Sequence, residues 1–213
     1  MRFTTGDGET LEGEVALPPR AAVGLVVCHP HPLYGGDMDS HVVRCVADVA
    51  VASGLASLRF NFRGVGGSTG KHGGGIPEER DVEAALVYLG TLLAPPAALA
   101  LAGYSFGAAV AARVAARRDD LCGIALIAPP LAAAPWAFPA PRAPLLLVAG
   151  ARDPYCPTDA LTVVRTHAPE AVIRVIEDAD HFFARSLPAL AAMLAPWMTT
   201  LDAGETGRRG GTG

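Results

Sequence analysis

Ser105 stands in the run Leu99-Ala100-Leu101-Ala102-Gly103-Tyr104-Ser105-Phe106-Gly107-Ala108-Ala109. An apolar stretch ends in Gly-x-Ser-x-Gly and gives way to small residues of high helix propensity. Strand, sharp turn and helix is the setting in which this pattern presents a nucleophilic hydroxyl. The turn forces Ser105 into a sparsely populated backbone conformation, and Gly103 and Gly107 let strand and helix approach it closely. The Phe106 N–H, at the helix start, points where an oxyanion would form. A serine needs a base to take its proton, usually a histidine held in one tautomer by a carboxylate. In this setting the acid and then the histidine follow the serine in chain order. Asp153 comes next, in Val148-Ala149-Gly150-Ala151-Arg152-Asp153-Pro154, and then His181, in Glu177-Asp178-Ala179-Asp180-His181-Phe182-Phe183. A turn aspartate before proline and a surface or N-cap histidine are the plain alternatives for each alone. Their order, each just after a strand, favours a catalytic set of Ser105, Asp153 and His181.

The competing groups fit other roles. Asp159 opens a helix and suits capping. Asp178 and Asp180 lie too near His181 in sequence to orient it from behind. His167 belongs on a surface helix, and His72 falls in a Gly-rich loop read as mobile.

A second oxyanion donor is expected from Cys28-His29-Pro30-His31-Pro32-Leu33-Tyr34-Gly35-Gly36. Pro30 and Pro32 have no N–H. The His31 amide is the first candidate, followed by Leu33 and Tyr34. His29 is read as structural, bonding nearby loops. The His29-x-His31 pair lacks a third ligand at a suggestive spacing, so no metal is expected. Arg63-Gly64-Val65-Gly66-Gly67-Ser68-Thr69-Gly70-Lys71 misses both phosphate-loop patterns, so no nucleotide cofactor is expected. Its glycines are read as letting a loop pass beside the site. The expected substrate pocket draws on Leu33, Tyr34 and Tyr104, with Trp136 and Phe138 as apolar walls.

The elements that must position these residues follow from periodicity. Residues 2–17 read as a β-hairpin, with Gly6-Asp7-Gly8 at its turn. Val23 to Cys28 is a short continuous apolar run, the mark of a strand buried on both faces. Further strands are expected at Leu55–Phe62, Leu99–Ala102, Gly123–Ala128, Leu145–Ala149 and Val172–Ile176. Helices are expected at 38–53, 78–93, 106–118, 158–167 and 184–201. This alternation describes an α/β domain with a mostly parallel, twisted sheet and helices on both faces. Every loop singled out above follows a strand, so one sheet edge collects them, where such folds bind ligands. One domain over residues 1–201 and a disordered tail over 202–213 are expected.

The chain has 213 residues, 51% of them hydrophobic and 18% charged, which suits one globular domain. A net charge of −4 gives no footprint for nucleic acid or an anionic membrane, and neither partner is expected. The N-terminus lacks a signal-peptide core, and Cys28, Cys45, Cys122 and Cys156 show no C-x-x-C spacing. Reduced thiols in the cytoplasm are the expectation.

With these residues in place, the chain resembles the α/β-hydrolases over about residues 2–198. It is most similar to small bacterial members with a His-Pro-His-Pro-x-x-Gly-Gly loop, akin to dienelactone-hydrolase-like proteins. The matching pieces are His29 to Gly36, Asn61 to Ser68, Gly103-Tyr104-Ser105-Phe106-Gly107, Gly150-Ala151-Arg152-Asp153 and His181-Phe182-Phe183. Dienelactone hydrolases use cysteine as nucleophile, and the dehalogenases and epoxide hydrolases of the fold use aspartate; Ser105 argues against all three activities. The family often inserts a lid after the strand that follows the nucleophile's helix. Here only Pro129 to Pro144 is available, so a minimal lid and an open site are implied. The expected activity is cleavage of small-molecule carboxylic esters through an acyl-enzyme. Thioester or amide cleavage, or a non-catalytic binding protein on this fold, are the alternatives.

Overall fold

Continuous apolar runs make the inner strands, and alternating runs make the edges. The computed structural model describes residues 1–133 and 141–209, with 202–209 as backbone. The inner strands are β3 (Val23–Cys28), β4 (Ala56–Phe60), β5 (Ala98–Tyr104), β6 (Leu121–Ile127) and β7 (Leu145–Gly150), almost wholly buried. At the edges, β1 (Arg2–Thr4), β2 (Thr10–Ala16) and β8 (Val172–Ile176) alternate between exposed and covered positions. The eight strands run in the order β1-β2-β4-β3-β5-β6-β7-β8. The hairpin joins antiparallel through β2 to β4, and every later pairing is parallel. The helices are α1 (His41–Ala52), α2 (Glu78–Leu92), α3 (Phe106–Ala115), α4 (Leu161–His167) and α5 (Leu187–Arg209). α1 packs with α5, and α2 packs with α3.

The chain passes from β3 outward to β4, then returns across β3 to β5. Loops leaving β3 and β5 therefore part at a switch point, where open α/β sheets form their crevice. The first holds His31 and the second holds Ser105. No helix or strand intervenes between β6 and β7 among the described residues. Trp136 and Phe138, the expected apolar walls, lie outside the described residues. No described helix is long and apolar enough to cross a membrane. No disulfide joins any of the four cysteines.

α5 runs on to Arg209. One expectation needs correction: Gly66 and Gly67, two of the glycines after β4, serve another purpose than the one expected. A Cβ on Gly66 or Gly67 would lie 2.2 or 2.4 Å from the Glu12 carboxylate, so these glycines make room for the hairpin, not the site. Glu12 in turn accepts from Asn61 Nδ2 and the Gly67 amide, at 2.5 and 2.6 Å. Buried Arg63 bonds Asp81 and reaches Asp7 in the hairpin turn at 3.0 Å. The motif Asn61 to Ser68 thus fastens the N-terminal hairpin to the carboxyl end of the sheet.

Candidate active site

Ser105 occupies the turn between β5 and α3 with φ 53° and ψ −116°, a left-handed conformation that non-glycine residues rarely adopt. Its amide is held by Ile127 O at 2.9 Å. Both neighbouring glycines are required by close approach. A Cβ on Gly103 would meet Gly107 O at 2.3 Å, and one on Gly107 would meet Cys28 O and His29 O at 2.5 Å. The start of α3 is therefore pressed against the end of β3.

Asp153 follows β7 and is buried. Its Oδ1 accepts the Tyr155 and Cys156 amides at 2.8 and 3.0 Å, which fixes the carboxylate and leaves Oδ2 for His181 Nδ1 at 2.8 Å. His181 Nε2 lies 2.9 Å from Ser105 Oγ. The three residues read from the sequence thus meet in one hydrogen-bonded line. Asp178 instead pairs with Arg152 at 2.6 Å, and Asp180 accepts the Phe182 amide at 3.0 Å.

The loop carrying His181 is tied down on three sides. The Arg152 amide donates to Ala179 O at 3.0 Å, His41 Nε2 bonds Phe182 O at 2.5 Å, and the Tyr104 hydroxyl donates to His181 O at 2.9 Å. Tyr104 is buried with its hydroxyl on the His181 carbonyl, so it supports His181 from within; the expectation that it lines the pocket is corrected. Burial and the Asp153 charge push the Cys156 thiol up to about 12, which keeps it an inert neighbour.

On the opposite side, His31 has φ −60° and ψ 120°. Its Nδ1 accepts the Leu33 amide at 3.2 Å, and its carbonyl accepts the Tyr34 and Gly36 amides at 3.1 Å. Those bonds occupy the Leu33 and Tyr34 donors. Among the described residues, the His31 and Phe106 amides donate to no other group. The His31 ring packs on Phe106 at 4.9 Å, and burial with the nearby His72 lowers its pKa. His29 and His31 do not converge as ligands. His29 Nδ1 bonds Pro30 O at 2.7 Å while its Nε2 accepts the Phe62 amide at 3.0 Å, the loop-bonding role expected. Burial lowers the His29 pKa to about 4.

His72 is packed, contrary to the mobile loop expected. Its ring lies 5.1 Å from His31 and 5.3 Å from Phe106, and its Nδ1 is 2.9 Å from Glu78 Oε1, off the line of a hydrogen bond. Glu78 is fully buried and clamps the loop through the Gly73 and Gly75 amides, each at 2.7 Å. Sequence shows Glu78 only as an acidic residue in a first helical turn, favourable to the helix dipole. Leu33 and Tyr34 stand exposed at the mouth. Tyr155 and Phe182, not anticipated from sequence, flank the His181 ring at 4.7 and 5.6 Å.

The family model for the alpha/beta hydrolase domain matches residues 25–189. An alpha-beta serine hydrolase homologue from Coxiella burnetii is 31% identical, with 92% of this chain and 95% of that chain covered and a TM-score of 0.85. A serine hydrolase without lid from Xanthomonas campestris is 33% identical, with coverage of 91% and 90% and a TM-score of 0.81. An uncharacterized protein of Rickettsia prowazekii is 32% identical over 94% of this chain and 89% of its own length. Matched by the family model over more than half of its length, the chain belongs to the α/β-hydrolase family.

Proposed function

We propose that the protein is a serine hydrolase that cleaves carboxylic esters of small molecules through an acyl-enzyme. The observation that carries this reading is the line Ser105 Oγ–His181 Nε2–His181 Nδ1–Asp153 Oδ2, with contacts of 2.9 and 2.8 Å. It is supported by the similarity to two proteins described as serine hydrolases. His181 takes the Ser105 proton as Oγ attacks the ester carbonyl, and Asp153 stabilises the imidazolium. The Phe106 and His31 amides hold the oxyanion; both stand ready before substrate arrives, so no reorganisation is needed during reaction. His181 then protonates the departing alcohol, and water repeats the sequence to release the acid. A linker as short as Pro129 to Pro144 leaves room for only a minimal lid, which suits small acyl groups, free or on larger carriers.

The test is labelling with a fluorophosphonate followed by hydrolysis of short-chain esters. Labelling at Ser105 and turnover that Ser105→Ala removes are expected. A chain that neither labels nor turns over esters is no serine esterase.

A further inference from the structure

Tyr155 and Phe182 leave large apolar rings about half exposed, 51% and 57%, beside the residue that acts as base. Neither ring belongs to the hydrophobic core or packs against it. Tyr155 serves Asp153 through its amide, and Phe182 bonds His41 and Asp180 through its main chain. Their rings instead flank the His181 imidazole at 4.7 and 5.6 Å, tilted by 56° and 85°.

The geometry of acylation assigns this surface, given the serine-esterase reading above. Ser105 Oγ bonds to the carbonyl carbon while its proton passes to His181 Nε2. The carbonyl oxygen becomes the oxyanion, on the side of the Phe106 and His31 amides. On collapse, the bond from carbon to the alcohol oxygen breaks, and the Nε2 proton moves to that oxygen. The alcohol oxygen must therefore reach Nε2 within about 2.6–3.2 Å. Its substituent then extends past the imidazole, away from the amides. Among the described residues, the exposed side chains against that ring are Tyr155 and Phe182. The oxyanion side is bounded by other rings, His31, Phe106 and Tyr34.

We propose that Tyr155 and Phe182 form the leaving-group subsite, and that the alcohol they select is apolar and flat, an aryl or arylalkyl alcohol. Two rings set at open angles to the imidazole accept a third in offset or edge-on packing, an arrangement alkyl or polar alcohols match less well.

The test uses acetate esters of methanol, 2-methoxyethanol and benzyl alcohol, whose leaving groups are of similar acidity. All three give the same acetyl-enzyme, so differences in kcat/KM report the acylation step. The wild-type protein is expected to prefer benzyl over methyl acetate by about tenfold or more, the scale on which apolar sites discriminate. Tyr155→Ala and Phe182→Ala should each cut that ratio severalfold, and Tyr155→Phe should retain it. A wild-type ratio near one, or a ratio that neither alanine variant moves, overturns the subsite. So does a loss that follows the acyl group, seen as a changed ratio of methyl benzoate to methyl acetate. In those cases Ser105 still labels and acetates still turn over; absent labelling and turnover overturn the esterase reading as well.

Discussion

The Tyr104 hydroxyl donates a 2.9 Å hydrogen bond to the main-chain carbonyl of His181, so the residue before Ser105 holds the loop that carries His181. Burial, with Asp153 and Asp180 nearby, raises the phenol pKa, so the hydroxyl keeps its proton. Tyr104→Phe removes the donor and leaves a buried carbonyl without a partner. An unsatisfied buried acceptor costs about 1–3 kcal/mol. Urea denaturation should show a loss in that range. kcat should fall by less than about tenfold, because the ring still packs and Asp153 still orients the imidazole. A variant as stable as wild type would show that the bond contributes nothing to holding the loop.

As the proposed nucleophile, Ser105 would set activity against stability. At φ 53° the residue is strained for any side chain but glycine. Ser105→Gly should therefore raise stability by about 1 kcal/mol, and Ser105→Ala should not. Both variants should lose ester hydrolysis by about 10⁴-fold, since members of a catalytic set act as a unit. Thermal melts and a sensitive ester assay check the two arms together. A glycine variant less stable than wild type would mean that the Ser105 hydroxyl contributes more than its backbone costs.

The parts of this molecule that repeat a local rule were legible in the sequence. Val23–Cys28 reads as a doubly buried strand and is one, to the residue. Ser105, Asp153 and His181 could be picked because each is a chemically suitable residue just past a strand, and the fold gathers strand ends. Residues defined by burial or by main-chain partners could not. Glu78 looks like a surface acid favouring a helix start, yet it is fully buried with two amides. Tyr104 looks like a pocket ring because it adjoins Ser105, yet it is buried with its hydroxyl on a main-chain carbonyl. Tyr155 reaches the His181 ring, beside Phe182, only after β7 and β8 pair side by side, a register no local pattern reveals.

His29 makes stability depend on acidity. Its imidazole is fully buried, accepts the Phe62 amide through Nε2, and has a pKa near 4 against 6.5 when unfolded. Between these values the unfolded chain binds a proton that the folded chain does not, so unfolding is favoured as pH falls. The contribution is whole above about pH 6.5 and lost progressively down to about pH 4, by about 3 kcal/mol in all. His29→Gln keeps an acceptor for the Phe62 amide and cannot titrate. Urea unfolding of both proteins between about pH 7 and about pH 4.5 should show wild type losing more stability than the variant. Equal slopes would mean that His29 becomes accessible to protons without unfolding.

His31 separates a main-chain role from a side-chain one. Its ring caps the Leu33 amide and packs on Phe106, while its own amide donates to no group among the described residues. His31→Ala retains that amide, so kcat should fall by less than about tenfold. His31→Pro removes the N–H, and the residue's φ of −60° already matches a proline ring. The proline variant should therefore fold and lose about 10²–10³ in kcat, the usual cost of one oxyanion donor. KM should move little, because the ground-state carbonyl depends on that donor less than the transition state does. The opposite ranking, with alanine costing as much as proline, would put the imidazole itself into the chemistry. It would then act beside His72, whose ring lies 5.1 Å away, rather than through the backbone.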